Sequence, residues 1–409
     1  MALPLNTLAN KKTSPGMSKF GGFSLFIFAT VMLFWNEGNY KETRDAIQEA
    51  ESVAVHVEDV SAASAEWEGQ LIHGTAKAQT DEWLYDPLFG VSINAVRLNR
   101  NVRYYQWEEE EETEEYTDSD GDTHTTTTYS YYRTWTSKPI DSDRFHRKQG
   151  HTNHVLLEIE SMETYAEQVL WGAYTLPLFL KSAMDSILTV TTLALPESIA
   201  SAWKEKLAQS VRKQALREPE NDYLTANSRR VYMGANPDAP AIGDVYVFFT
   251  YVPPGLNLSL IAQVEGNSFI KYAAKNGRTF YSTYNGVSDM SEMFREEFSR
   301  NASAAWTLRI TLLLCIMVAL SGMLQWLVKL SARIPVLGTL VQAGVKMICL
   351  LLGLSWTLFV IAIAWLFYRP ITSLILLGVI LLFILVLRRK GLKNASAHPS
   401  SVEISPPQQ

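Results

Sequence analysis

Residues 347–387 read MICLLLGLSWTLFVIAIAWLFYRPITSLILLGVILLFILVL, with Arg369 as the single charge. A helix rises about 1.5 Å per residue and a hydrocarbon layer is about 30 Å thick, so the stretch is too long for one straight span. Proline cannot continue the i to i−4 ladder, and a lone arginine in mid-bilayer is costly, so Tyr368-Arg369-Pro370 reads as a turn at an interface. The pattern therefore predicts a tight pair of membrane helices over residues 347–368 and 371–387. One long kinked helix is the rival reading, and it would leave Arg369 in lipid.

Working outward, residues 305–328 are apolar apart from Arg309 and Gln325, each near an end. Arg309 stands one turn inside, where its stem can snorkel toward the headgroups. Far upstream, residues 20–35 (FGGFSLFIFATVMLFW) carry no charge and run straight into Asn36-Glu37-Gly38. This run is short for a span, and a signal-peptide core is its rival. The absence of small residues around Trp35-Asn36-Glu37 favours an uncleaved anchor.

Charge orients these four segments. Lys11, Lys12 and Lys19 precede the first, Lys329, Arg333 and Lys346 lie between the second and third, and Arg388, Arg389, Lys390 and Lys393 follow the fourth. Excess Lys and Arg marks the cytoplasmic side. The expected layout is a cytoplasmic N-terminus (1–19), a first span (20–35), an outer domain (36–304), a second span (305–328), a cytoplasmic loop (329–346), spans at 347–368 and 371–387, and a disordered cytoplasmic tail (388–409). Within the loop, residues 334–341 are expected to lie in the membrane interface. Trp35, Trp306, Trp326, Trp365 and Tyr368 fall near span ends, where amphipathic rings prefer to sit.

The averages over all 409 residues, 47% hydrophobic and 19% charged, hide this concentration of apolar residues at the two ends. The net charge of −6, from 36 basic and 42 acidic residues, gives no basic domain and argues against nucleic acid as a partner. The two cysteines, Cys315 and Cys349, lie in apolar runs, which excludes a disulfide scaffold or a cysteine zinc site.

The outer domain reads as mixed and β-rich, giving an α+β integral membrane protein. Residues 39–53, 161–216 and 288–303 suit helices, the last running into the second span. Short stretches around 71–74, 89–93, 102–107, 243–251, 256–264, 269–273 and 279–284 suit strands, with Pro253-Pro254-Gly255 and Gly266-Asn267 as turns. Between residues 108 and 122 stand ten acids and no base, followed by the β-rich TTTTYSYYRTW of residues 125–135. A long hairpin with its tip at residues 118–122 follows. Asp118, Asp120 and Asp122 make a weak candidate divalent site, but glycine is fourth and Tyr129 twelfth, so the loop is not an EF-hand. His151 and His154 have an i, i+3 spacing that could ligate zinc, yet Gly150 and Asn153 suggest a turn, and nothing completes the set. No nucleophile elbow, phosphate loop or His-Glu-x-x-His occurs. No catalytic residue and no cofactor is expected, so an enzyme is the less favoured class.

An ordered set of short motifs goes further: Asn36-Glu37-Gly38; Glu68 to His73; Asp86-Pro87 before Gly90-Val91; Tyr105 to Glu108; Tyr129-Ser130-Tyr131 with Trp135; Gly150-His151; Asn236-Pro237 before Gly243-Asp244; and Trp365 to Pro370. Together with the one-plus-three span layout, the set resembles the transmembrane protein 43 family, also called LUMA, over nearly the whole chain. The resemblance implies a multi-pass protein of the endoplasmic reticulum and inner nuclear membrane with a luminal domain, which self-associates and organises envelope proteins such as lamins and emerin. Bacterial relatives imply an older role, in a plasma membrane. The expectation is a non-enzymatic scaffold whose partners are membrane lipids, further copies of itself and other membrane or envelope proteins. The alternative is a sensor or transport component whose outer domain binds a cation, lipid or peptide. Asn257-Leu258-Ser259 and Asn301-Ala302-Ser303 are glycosylation sequons only in a eukaryotic host.

Overall fold

A computed structural model describes residues 8–12, 19–117, 123–214, 223–331 and 337–371, with 375 and 378. The chain divides into two compact units, one holding residues 43–117 and 123–300, the other residues 19–42 and 301–371.

The second unit is helical. It takes up the apolar parts of α1 (Lys19–Val53), α3 (Met290–Ser331) and α4 (Leu337–Tyr368); α2 (Glu197–Gln214) lies in the other unit. These three helices are long and apolar enough to cross a membrane. Ala29, Leu33, Leu312, Ile316 and Val360 pack together, and Phe20, Phe28, Ile310, Leu314, Leu351 and Phe359 face outward. Water would not tolerate such a stripe, and lipid does. The break expected at 368–370 is where α4 ends, with Arg369 outside the helix. The fourth segment (371–387) and the tail lie almost wholly outside the described residues.

One expectation needs correction. The loop at 329–346 is largely helix, since α3 runs to Ser331 and α4 starts at Leu337, ahead of Lys346. Leu337, Val341 and Val345 keep a four-residue apolar spacing that lets the helix begin a turn and more before the charge. The helix of the first span runs on through 36–38 into the helix expected over 39–53, ending at Val53.

The other unit is a layered α+β domain. Its strands include β1 (Leu71–Gln79), β2 (Trp83–Asp86), β3 (Val91–Asn94), β4 (Arg97–Thr117), β5 (Thr123–Thr136), β6 (Arg230–Met233), β7 (Val245–Val252), β8 (Leu256–Glu265) and β9 (Ser282–Asn285). One antiparallel sheet runs β5-β4-β7-β6, and a second is built on β1-β8 with β9 on the far side of β8. Val102, Tyr104, Val245, Val247 and Phe249 from the first sheet meet Ile72, Ala78, Leu258, Leu260 and Val264 from the second. Trp203, Leu207 and Val211 of α2 (Glu197–Gln214) close this core. Helix does not extend over 161–216 as expected. Residues 162–165 and 188–189 are strand, and 178–182 form one helical turn, because Gly172, Pro177 and Pro196 punctuate the segment.

The long hairpin is present, with Glu108 opposite Tyr132 and Thr117 opposite Thr123. Leu8–Lys12 pairs with residues 125–129 of β5. A strand ahead of a membrane-crossing helix and a sheet after it end on opposite sides of a bilayer, so this pairing and a crossing by α1 exclude one another. The crossing has the stronger physical basis, in the uncharged residues 20–35 and their outward apolar stripe.

Candidate functional site

Three helices of the membrane unit converge on one carboxylate. Glu37, only 2% exposed, lies just past Trp35 in α1. Arg309 of α3 grips it with two bonds, Nε donating to Oε1 at 2.6 Å and an Nη to Oε2 at 2.7 Å. Trp365 of α4 donates its Nε1–H to Oε2 at 3.0 Å. Beside this centre, Asn36 Nδ2 donates to the Ala305 carbonyl at 3.3 Å and Asn301 Nδ2 to the Tyr40 carbonyl at 3.0 Å. The Arg309 guanidinium stands 4.8 Å over the Trp306 ring and 5.4 Å over Tyr40, and Arg369 also lies 5.4 Å over Tyr40. Gly38 completes the turn, since a Cβ there would come 2.5 Å from the Tyr368 ring. Asn36-Glu37-Gly38 thus uses each of its side positions to seat another helix.

Arg309 does not snorkel. A bidentate carboxylate within reach is better than a stretched stem, because an ion in a low-dielectric setting is costly unless paired and hydrogen-bonded. The signal that could have found the pair was Glu37 itself, the first acid after the apolar run. Both Glu37 oxygens are engaged by the neighbouring helices, so the arrangement holds helices in register. Among the described residues no further His, Cys, Asp or Glu joins it to make a metal-ligating group.

The remaining sequence candidates fare differently. Asp118, Asp120 and Asp122 lie outside the described residues. Among the described residues, no group of three or more His, Cys, Asp or Glu could hold a metal ion. His151 and His154 do not converge. His151 stacks on Tyr131 with ring centres 3.9 Å apart and turns Nδ1 to the Arg147 carbonyl, whereas the His154 ring packs against Gly243. The structure joins another pair that the sequence did not single out: His56 and His73, with Nδ1 atoms 2.8 Å apart. His73 Nε2 donates to the Ser288 carbonyl at 3.1 Å, so its Nδ1 accepts from His56. Burial, reinforced by His56, lowers the His73 pKa below 6.5.

Several motif residues prove to be architectural. Asp86, fully buried, accepts the N–H groups of Leu88 and Phe89 at 3.0 Å each and pairs with Arg100 at 2.6 Å. Arg100 also donates to the Glu160 carbonyl at 2.9 Å. Asp244 accepts from the Tyr232 hydroxyl and the Ala241 N–H, and Gly234 leaves room for its carboxylate. Two open clefts, of about 620 and 410 Å³, are lined by polar residues such as Asp81, Glu82 and Asn94 in the first and Asp185, Glu297 and Arg300 in the second. The described lining of neither cleft supplies a histidine or cysteine to act as base or nucleophile.

Arg309, Trp365, Tyr232 and Asp244 fall inside a longer match, and Glu37, Asp86 and Arg100 lie ahead of it: residues 104–370 fit the family model described as transmembrane protein 43. The chain belongs to the transmembrane protein 43 family. The human transmembrane protein 43 is 30% identical over 389 residues, covering 93% of this chain and 91% of the human one. The rat protein is 31% identical over 387 residues, with 92% and 90% covered. The Drosophila melanogaster transmembrane protein 43 homolog is 27% identical over 366 residues, with 87% and 90% covered. No solved structure matches the chain. Family membership and three membrane-length helices agree that this is a transmembrane protein, and the resemblance drawn from the ordered motifs holds.

Proposed function

We propose that this member of the transmembrane protein 43 family is a non-enzymatic, multi-pass scaffold that self-associates and organises other membrane proteins. The observation that carries the reading is the closed Glu37–Arg309–Trp365 knot. Its polar groups are spent on one another, which suits a fixed helix frame rather than an ion path. The frame keeps its apolar faces for lipid or for neighbouring helices. In this reading the chain crosses four times with both termini cytoplasmic, and the Lys and Arg clusters support that orientation. The outer domain then faces the lumen of the endoplasmic reticulum and perinuclear space in a eukaryotic host, or the periplasm in a bacterial one. Partners are membrane lipids, further copies of the chain and other membrane or envelope proteins, lamin- or emerin-like where a nucleus exists.

The test is the particle mass of the full chain in mild detergent by light scattering. A stable multimer is expected, and a monomer at all concentrations overturns the reading. Orientation is tested separately by labelling single cysteines introduced at Glu110 and Ser396 from each side of sealed vesicles. Opposite-side labelling is expected.

A second reading, a sensor or transport component whose outer domain binds a cation, lipid or peptide, has its support in the open polar cleft beside Asp81 and Glu82. Calcium titration of the full chain separates the two, since saturable binding with a raised melting temperature belongs to the sensor alone.

A further inference from the structure

Side chains two apart on a strand share a face, and residues opposite one another across an antiparallel pair share it too. The registers Tyr105 to Trp135, Arg103 to Tyr246 and Phe248 to Arg230 therefore put these six side chains on one face of the β5-β4-β7-β6 sheet. It is the face opposite the one that fills the core with Val102, Tyr104, Val245, Val247 and Phe249. All six are half-buried rather than covered. The Trp135 ring lies 5.1 Å from Tyr105 and 4.6 Å from Tyr246, Arg103 lies 5.9 Å over Phe248, and Arg230 lies 5.7 Å over Tyr246. Neither guanidinium forms a salt bridge with a described residue. No carboxylate stands among these positions, and Asp244, two residues before Tyr246, is fully buried and bonded to Tyr232. Such a concentration of Trp, Tyr and Arg on one face is the composition of an interface centre rather than of ordinary surface.

The same sheet supplies the complement. Beyond Tyr104, β4 leaves its neighbour β7, and β4 and β5 continue together as a ribbon, with Glu110, Glu111, Glu112 and Glu114 exposed. The Tyr129 and Tyr131 face of this ribbon is packed on His146 and His151, and the opposite face carries Glu110, Glu112 and Glu114. Ten residues of it (108–117) extend about 34 Å, against about 19 Å for the width of four strands.

We propose that the acidic hairpin of one copy lies across the aromatic and arginine face of a second copy, each copy giving one hairpin and offering one face. The inference rests on the scaffold reading and names the surface that would do the assembling. Charge complementarity selects this occupant: a ribbon rich in exposed glutamates meets a face whose two arginines have no salt bridge with a described residue. A reciprocal exchange of this kind closes as a two-fold dimer.

The experiment is the particle mass of the full chain in mild detergent, for the wild type, Arg103→Glu/Arg230→Glu, Glu110→Lys/Glu112→Lys, and the combination of all four. Each double variant is expected to halve the mass, and the combination to restore it. A mass unchanged in either double variant, or not restored in the combination, overturns the hairpin interface while leaving the scaffold reading standing on the wild-type multimer. A monomeric wild type removes both. Melting temperature guards against misfolding: the hairpin pair touches no core residue, so its loss of mass at unchanged melting temperature and its rescue decide the question even if the face pair alone unfolds.

Discussion

Glu37–Arg309 in the membrane unit and Asp86–Arg100 in the β-rich unit are the same chemistry set in two surroundings. Both are buried, both have a contact of 2.6 Å, and both carboxylates have further donors. They differ in where those donors come from. Asp86 draws on the backbone N–H groups of its own turn, three residues away at most, and so closes the corner between β2 and β3. Glu37 draws only on side chains of two other helices, far along the chain. In the β-rich unit the pair finishes local structure that sheet bonding has largely specified. Among helices whose backbone bonds are all internal, side-chain pairs carry the specificity of packing, because lipid gives apolar helices little reason to prefer one neighbour.

The comparison can be broken by removing one partner in each place. Arg309→Leu leaves a buried carboxylate in the membrane unit and is expected to cost about 3–5 kcal/mol, the largest effect, read as lost folded yield and a lower melting temperature in detergent. Adding Glu37→Leu is expected to recover most of that loss; no recovery would mean the pair matters for more than compensating charge. Asp86→Asn keeps the size and the capping oxygen but drops the charge, so a cost of about 2–3 kcal/mol is expected by thermal melting. A loss equal to that of Arg309→Leu would erase the distinction between the regions. Trp365→Phe removes one donor and spares the ion pair, for about 1 kcal/mol.

A smaller effect concerns pH. His73 has a lowered folded pKa, so the neutral ring is the form the fold prefers. The stability it contributes is fully present above the unfolded value near 6.5 and is lost as pH falls through the lower folded value. Melting temperature should therefore drop on acidification below about pH 6.5. His73→Asn should flatten that slope, and an unchanged slope would assign it to other groups.

How much of this is legible beforehand follows from the range of the interactions. The spans, the hairpin and the strands from 243 to 284 announce themselves through composition and turn residues, which are local. The segment 161–216 misleads because the amphipathic spacing of its second half invites extension across Gly172, Pro177 and Pro196. The ion pair is half visible, as Arg309 stands out and Glu37 does not, since an acid directly after a span looks like solvated loop. His56 with His73 and the aromatic face are invisible for the same reason. Each depends on strand registers that no local pattern fixes.

The separation between Glu37 and its partner has a consequence for how the protein is made. Arg309 follows 272 residues later, and at about 5–20 residues per second a ribosome needs roughly 14–54 s to supply it. Throughout that interval the first helix sits at the bilayer with an uncompensated acid and no Trp365 to share it. Translation therefore leaves a waiting period in which membrane insertases or lipid headgroups must shelter the nascent helix.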